Sequence, residues 1–173
     1  MSLLSPDYYV TDVHAIDLDA LRLRGVRGLF LDLDNTILPR DTNAVPESLR
    51  AWATDLAEHG FRVCLVSNNW HERVSIVAAD LGFELVAKAM KPFPFAFWKA
   101  AARMGLRPSD CAAVGDQLFT DVLGGKLIGA VTVLVSPLSS TDLPHTLLLR
   151  RLEARIMRGA KPHAQETRGV DPT

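Results

Sequence analysis

Short apolar runs alternate with helix-patterned segments along this chain, and that alternation constrains the fold more than any other feature. The runs at 26–33, 61–66, 83–87, 111–114 and 131–135 are too short for helices and suit buried strands, the last of them β-branched. Between them, 46–59, 71–81, 94–104 and 121–128 carry helical patterning, as Leu49, Trp52, Ala53 and Leu56 illustrate. Gly60, Gly82 and Gly105 stand where three of these helices should stop. Strands that are apolar throughout and separated by helices predict a parallel sheet covered on both faces. Its crossovers should be right-handed. The expected architecture is α/β, three-layer and Rossmann-like, with a mainly parallel five-stranded sheet.

Residues 1–25 read as an N-terminal arm with a helical piece at 17–24, and 26–158 as one domain. The domain should close with an amphipathic helix at 143–158, followed by a tail at 159–173 without periodicity. A length of 173 residues, 48% of them hydrophobic and 23% charged, suits one globular domain. The net charge of −1 gives no global reason to expect a nucleic-acid partner. Cys64 and Cys111 lie inside apolar runs and read as reduced core thiols, because no CxxC or paired Cys/His spacing offers a structural metal site. The N-terminus lacks the basic and apolar regions of a signal peptide, and no apolar run approaches the roughly 20 residues of a membrane helix. A cytoplasmic protein, able at most to touch a membrane from outside, is expected.

Parallel sheets bind ligands at the carboxyl ends of their strands. Every unusual polar cluster of this chain follows a predicted strand: Asp32-Leu33-Asp34-Asn35-Thr36, Ser67-Asn68-Asn69, Lys91-Pro92, and Gly115-Asp116 with Asp121. One crevice would gather all four. Where the chain turns off the strand, Asp32 and Asp34 can both face it. The economical division of labour makes Asp32 a nucleophile that attacks phosphorus and Asp34 the proton carrier. Carboxylates facing a phosphate need a cation. Asp32, Asp116 and the main-chain carbonyl of Asp34 are hard oxygen donors that suit Mg²⁺. Lys91 supplies a second positive charge, and Ser67 with nearby N–H groups can donate to the phosphoryl oxygens. Singly, each residue also has a plainer role: Ser67 as a helix N-cap, Lys91 as one exposed lysine among many, Asp121 as a charge at a helix start. Four such clusters in this order, all after strands, are hard to attribute to chance.

Together these motifs resemble the haloacid dehalogenase (HAD) superfamily, all four of whose signatures are present. The resemblance implies Asp32 as nucleophile and Asp34 as general acid/base, a second acid that dehalogenases lack. It implies phosphate contacts from Ser67, Asn68 and Lys91, a metal site completed by Asp116, and support from Asp121 and Thr36. The runs 31–39, 66–69 and 115–125 further resemble the small subfamily IIIA phosphatases of the YqeG type. That relationship also takes in the mitochondrial phosphatidylglycerophosphate phosphatase, so a large or lipid phosphate is an implied substrate. The local departures are His71 after Asn69-Trp70, and Lys126-Leu127 after the glycine pair.

Other features carry less. Gly124-Gly125-Lys126 lacks the spacing of a phosphate-binding P-loop and the Ser/Thr after its lysine. His71 reads as a polar helix start and Arg40 as a loop arginine. Phe93, Phe95, Phe97 and Trp98 read as helix packing. Neither the span from Asp32 to Ser67 nor that from Ser67 to Lys91 leaves room for a cap domain. A capless site implies a large substrate, or a neighbouring subunit of a homo-oligomer as lid. In the helix at 143–158, Arg150, Arg151, Arg155 and Arg158 stand against only Glu153. That pattern fits an anionic membrane surface or, more simply, a helix covering the sheet. The rival function is a non-catalytic HAD scaffold that binds a macromolecular partner.

Overall fold

The computed structural model describes residues 3–42 and 44–139, so the expected helix at 143–158 and the tail at 159–173 lie outside the described residues. In chain order the elements are β1 (Tyr8–Val10), α1 (Leu18–Leu23), β2 (Gly28–Leu31), α2 (Glu47–Glu58), β3 (Arg62–Val66), α3 (Glu72–Leu81), β4 (Glu84–Val86), α4 (Phe95–Met104), β5 (Cys111–Gly115), α5 (Leu123–Leu127) and β6 (Val131–Val135). The strands form one sheet in the order β1-β6-β5-β2-β3-β4, and every pair is parallel. The expected α/β architecture is therefore present with six strands instead of five. The sixth, β1, comes from the N-terminal segment and pairs with β6 at the sheet edge.

Period-two alternation divides the core into two layers. Leu29, Leu31, Val63, Leu65, Ala112 and Val114 face one side, against Leu49, Trp52 and Leu56 of α2 and Val74, Val77 and Leu81 of α3. Phe30, Cys64, Val66 and Ala113 face the other, against Ala96, Phe97, Ala100, Ala101 and Met104 of α4. β2 and β5 are buried along their whole length because helices cover both faces. Burial pushes the Cys64 and Cys111 thiols up to about 12, so both are protonated core groups. Gly82 and Gly105 end α3 and α4 in left-handed conformations.

One aromatic expectation is corrected. Only Phe97 packs inward, while Phe93, Phe95 and Trp98 are exposed. The positions of α4 that face the sheet are 96, 97, 100, 101 and 104, and Phe95 and Trp98 fall on the opposite side of that stripe.

The order of connection reverses between β2 and β5. From β2 the chain proceeds outward through β3 to β4, whereas from β5 it proceeds the other way to β6. The carboxyl ends of β2 and β5 therefore open a crevice at the switch point, where such sheets bind ligands.

Candidate active site

Asp32 leaves β2 at this crevice, its backbone N–H still donating to the Val114 carbonyl of β5 at 2.9 Å. The chain then turns sharply. Asn35 takes a positive φ of 62°, which asparagine tolerates better than most residues, and its N–H donates to the Leu38 carbonyl. The carboxylates of Asp32 and Asp34 reach different partners.

Lys91, from the loop between β4 and α4, donates to Asp32 Oδ1 and Asp121 Oδ1, both at 2.6 Å. Thr36 donates to Asp32 Oδ2 at 3.2 Å and lies 3.4 Å from Asp116 Oδ1. Asp32, Asp116 and Asp121 are buried and offer oxygens within 4.8 Å of one another. Asp121 lies in a single π-helical turn, Leu118–Val122, and its Oδ2 accepts from the Gln117 N–H at 3.2 Å. That approach requires Gly115, where a Cβ would come within 2.1 Å of Asp121 Cγ.

Asp34 belongs to another network. Its Oδ1 pairs with Arg73 Nη1 of α3 at 2.5 Å, and its Oδ2 accepts from Asn69 Nδ2 at 3.3 Å. Arg73 also donates to the carbonyls of Pro39 and Thr42, stitching the turn after Asp34 to α3. Ser67 is buried at the end of β3 and its Oγ accepts from the Asn69 N–H at 3.0 Å. It does not cap α3, whose N-cap position belongs to His71. Asn68 brackets the Lys91 peptide, accepting from its N–H at 2.7 Å and reaching its carbonyl at 3.4 Å.

Burial raises the Asp32 carboxyl from 3.8 to about 6, with Asp121 and Asp34 adding to the rise and Lys91 opposing it. Burial alone would lower Lys91, but the charges of Asp121 and Asp32 outweigh it and hold the ammonium above its ordinary value. Lys91 is therefore charged at any working pH.

Three of the four predicted clusters line one open cleft of about 320 Å³; from the fourth segment Gln117 and Thr120 line it, while Asp116 and Asp121 adjoin it through Asp32. Its lining includes Asp32, Asp34, Ser67, Asn68 and Lys91, together with Arg40 and His71. Lys126 is elsewhere, pairing with Asp7 at 2.8 Å. Gly124 and Gly125 serve packing: a Cβ on the first would meet Phe97 at 2.5 Å, and on the second Ala113 at 2.7 Å. The sequence reading missed Arg73. Its signal was available, since a cation in the first turn of a helix opposes the macrodipole and so invites a search for its carboxylate.

Three buried carboxylates beside one lysine fit a divalent cation, because hard oxygen donors in low dielectric need positive charge to offset their mutual repulsion.

Residues 89–140 match the HAD-hydrolase-like family. The chain is 41% identical over 157 residues to the "Probable phosphatase YqeG" of Bacillus subtilis (strain 168), covering 90% of this chain and 91% of that protein. It is 27% identical to "Phosphatidylglycerophosphate phosphatase 1, chloroplastic/mitochondrial" of Arabidopsis thaliana, over 91% of this chain but 49% of that protein. Among solved structures, the cobalt-bound deoxy-D-mannose-octulosonate 8-phosphate phosphatase of Haemophilus influenzae superimposes with a TM-score of 0.52 at 15% identity. That match covers 79% of this chain and 90% of the other, a likeness of fold.

Proposed function

The chain belongs to the HAD-type phosphatases of the YqeG kind, and from that premise we propose that it hydrolyses phosphomonoesters through a phosphoryl group carried on Asp32. The observation that carries this reading is the separation of the two aspartates. Asp32 lies against Lys91 in a buried acidic cluster, while Asp34 is oriented independently by Arg73 and Asn69.

Asp32 attacks phosphorus with one carboxylate oxygen, and the ester oxygen departs with the bonding pair. Asp34 donates a proton to that leaving oxygen, then removes one from the water that attacks the phosphoryl group on Asp32. Asp32 is regenerated and inorganic phosphate leaves. Lys91 offsets charge on the transferring group, and Ser67, with the N–H groups of its turn, donates to the peripheral oxygens. Arg73 and Asn69 fix the orientation of Asp34, and Thr36 that of Asp32. Asp32, Asp116 and the main-chain carbonyl of Asp34 would hold Mg²⁺, with Asp121 in support. When bound, the ion supplies Lewis-acid stabilisation of negative charge on the phosphoryl oxygens.

The cleft is open, and no cap domain covers it among the described residues. A large or lipid-borne phosphate fits an open site, and similarity to the Arabidopsis enzyme supports phosphatidylglycerophosphate as the candidate. Such a substrate implies a cytoplasmic protein in peripheral contact with an anionic membrane. Among the described residues no helix is long and apolar enough to cross one. A homo-oligomer whose second subunit covers the cleft is the alternative means of excluding water. The test is hydrolysis of a soluble aryl phosphate by purified protein with Mg²⁺, abolished by EDTA and restored by added Mg²⁺. Turnover indifferent to EDTA would refute the metal requirement. No turnover of any phosphomonoester, phosphatidylglycerophosphate included, would refute the enzyme reading.

A further inference from the structure

The loop that sends Lys91 into the site turns its neighbours the other way. Lys88 and Met90 have φ values of 53° and 52°, uncommon for residues with a side chain. Ala89 and Lys91 are buried, whereas Lys88 and Met90 are exposed. Apolar exposure continues on both sides. Trp70 follows the Ser67-Asn68-Asn69 turn, and Phe93, Phe95 and Trp98 lead from Lys91 onto the outer face of α4. With Met90, these side chains are each between 50% and 66% exposed.

Contacts tie parts of this rim together. Lys88 Nζ sits 4.9 Å from the Trp70 ring centroid, and its N–H donates to the Asn69 carbonyl. The Phe93 N–H donates to Met90, and the Phe95 and Trp98 rings meet edge-on at 5.6 Å. The charge is one-sided as well. No acidic residue occurs from 85 to 109, while Lys88, Lys99 and Arg103 are exposed there. A soluble surface has little reason to hold aromatic rings and a methionine in water beside a catalytic cleft.

We propose that this aromatic and cationic rim is a docking surface for an anionic lipid bilayer, which it enters at headgroup depth beside the cleft. Trp and Phe rings partition into the interfacial zone, and lysine and arginine stems lie along them with their charges toward lipid phosphates. A bilayer is favoured over a protein partner because the stretch 85–109, which carries four of the five exposed apolar side chains, exposes Lys88, Lys99 and Arg103 and contains no acid. The proposal rests on the phosphatase reading for its purpose, since the rim would bring Asp32 to a phosphate borne on a lipid headgroup.

The test uses the full chain with phosphatidylcholine vesicles, with and without phosphatidylglycerol. Binding should be at least about tenfold tighter to the anionic vesicles and should weaken with salt. Trp52 is buried in the core, so a blue shift of tryptophan emission on binding reports Trp70 and Trp98. The combined variant Trp70→Ser, Phe93→Ser, Phe95→Ser, Trp98→Ser should lose vesicle binding yet hydrolyse the soluble aryl phosphate as the native protein does. Indifference of the native protein to anionic vesicles at low salt would overturn the proposal, as would undiminished binding by the variant. Concentration-dependent self-association lost in the variant would overturn it in favour of a second copy. Failure of aryl-phosphate turnover with vesicle binding intact would strike the enzyme reading and leave the surface standing.

Discussion

Asp32 and Asp34 stand two residues apart and end in opposite electrostatic settings. On one side of the cleft, Lys91 holds Asp32 beside Asp116 and Asp121, a cluster whose carboxylates outnumber its lysine. On the other, Asp34 meets one arginine and one amide, with its charge matched. The first arrangement suits a group that must accept phosphorus and a cation. The second suits a group that must keep one orientation while a proton comes and goes. Both settings lie within one loop, which Asn35, at a φ of 62°, turns immediately after Asp34.

Substitution at the two aspartates should separate these roles. Asp32→Asn should lower kcat by about 10⁴-fold or more, since it removes the proposed phosphoryl acceptor. Asp34→Asn should cost about 10²–10³-fold, with the larger loss on substrates whose leaving groups are poor. A leaving-group series measured on both variants checks this, and equal sensitivity would erase the distinction.

Removing the cations probes stability. Lys91→Met leaves buried carboxylates unpaired and should destabilise the metal-free protein by about 3–5 kcal/mol, part of it recovered on adding Mg²⁺. Arg73→Met should cost roughly 1–3 kcal/mol, because Asp34 keeps Asn69 while two loop carbonyls lose their donor. Its loss should not respond to Mg²⁺. Urea titrations with and without the ion distinguish the halves.

The effect of pH is no larger than that of Arg73→Met. Asp32 is raised in the folded state, so between pH 4 and 6 the folded protein holds a proton that the unfolded chain has released. Its contribution to stability is full below about pH 4 and is lost as pH rises through about 6. In metal-free buffer, the stability of the native protein relative to Asp32→Asn should therefore fall by roughly 1–3 kcal/mol across that window. A flat difference would show that Lys91 fully compensates burial.

Much of this site was legible because buried parallel strands write themselves as unbroken apolar runs, and the residue after each run is then forced to the ligand end. Asp32, Ser67 and Asp116 follow β2, β3 and β5 directly, and Lys91 follows β4 by five residues. Other features were less visible. β1 has three residues, too few for a period, and only its pairing with β6 makes it a strand. Arg73 stands out only as a cation in the first turn of α3, and nothing in the sequence says that its partner is Asp34, 39 residues earlier. In sequence Phe95 and Trp98 read as packing because apolar type does not state which face of a helix is covered. The rotation of α4, set by Ala96, Phe97 and Ala100 on the sheet, decides that.

If phosphorus is carried on Asp32, it can be trapped there, and trapping it is the direct measurement. Asp34→Asn protein, mixed with Mg²⁺ and an aryl phosphate and then acid-quenched, should carry one phosphoryl group as a hydroxylamine-sensitive acyl phosphate. Borohydride reduction followed by tandem mass spectrometry should locate it at Asp32. Stoichiometric phosphate release without any acyl-phosphate, or a label on a residue other than Asp32, would contradict the account.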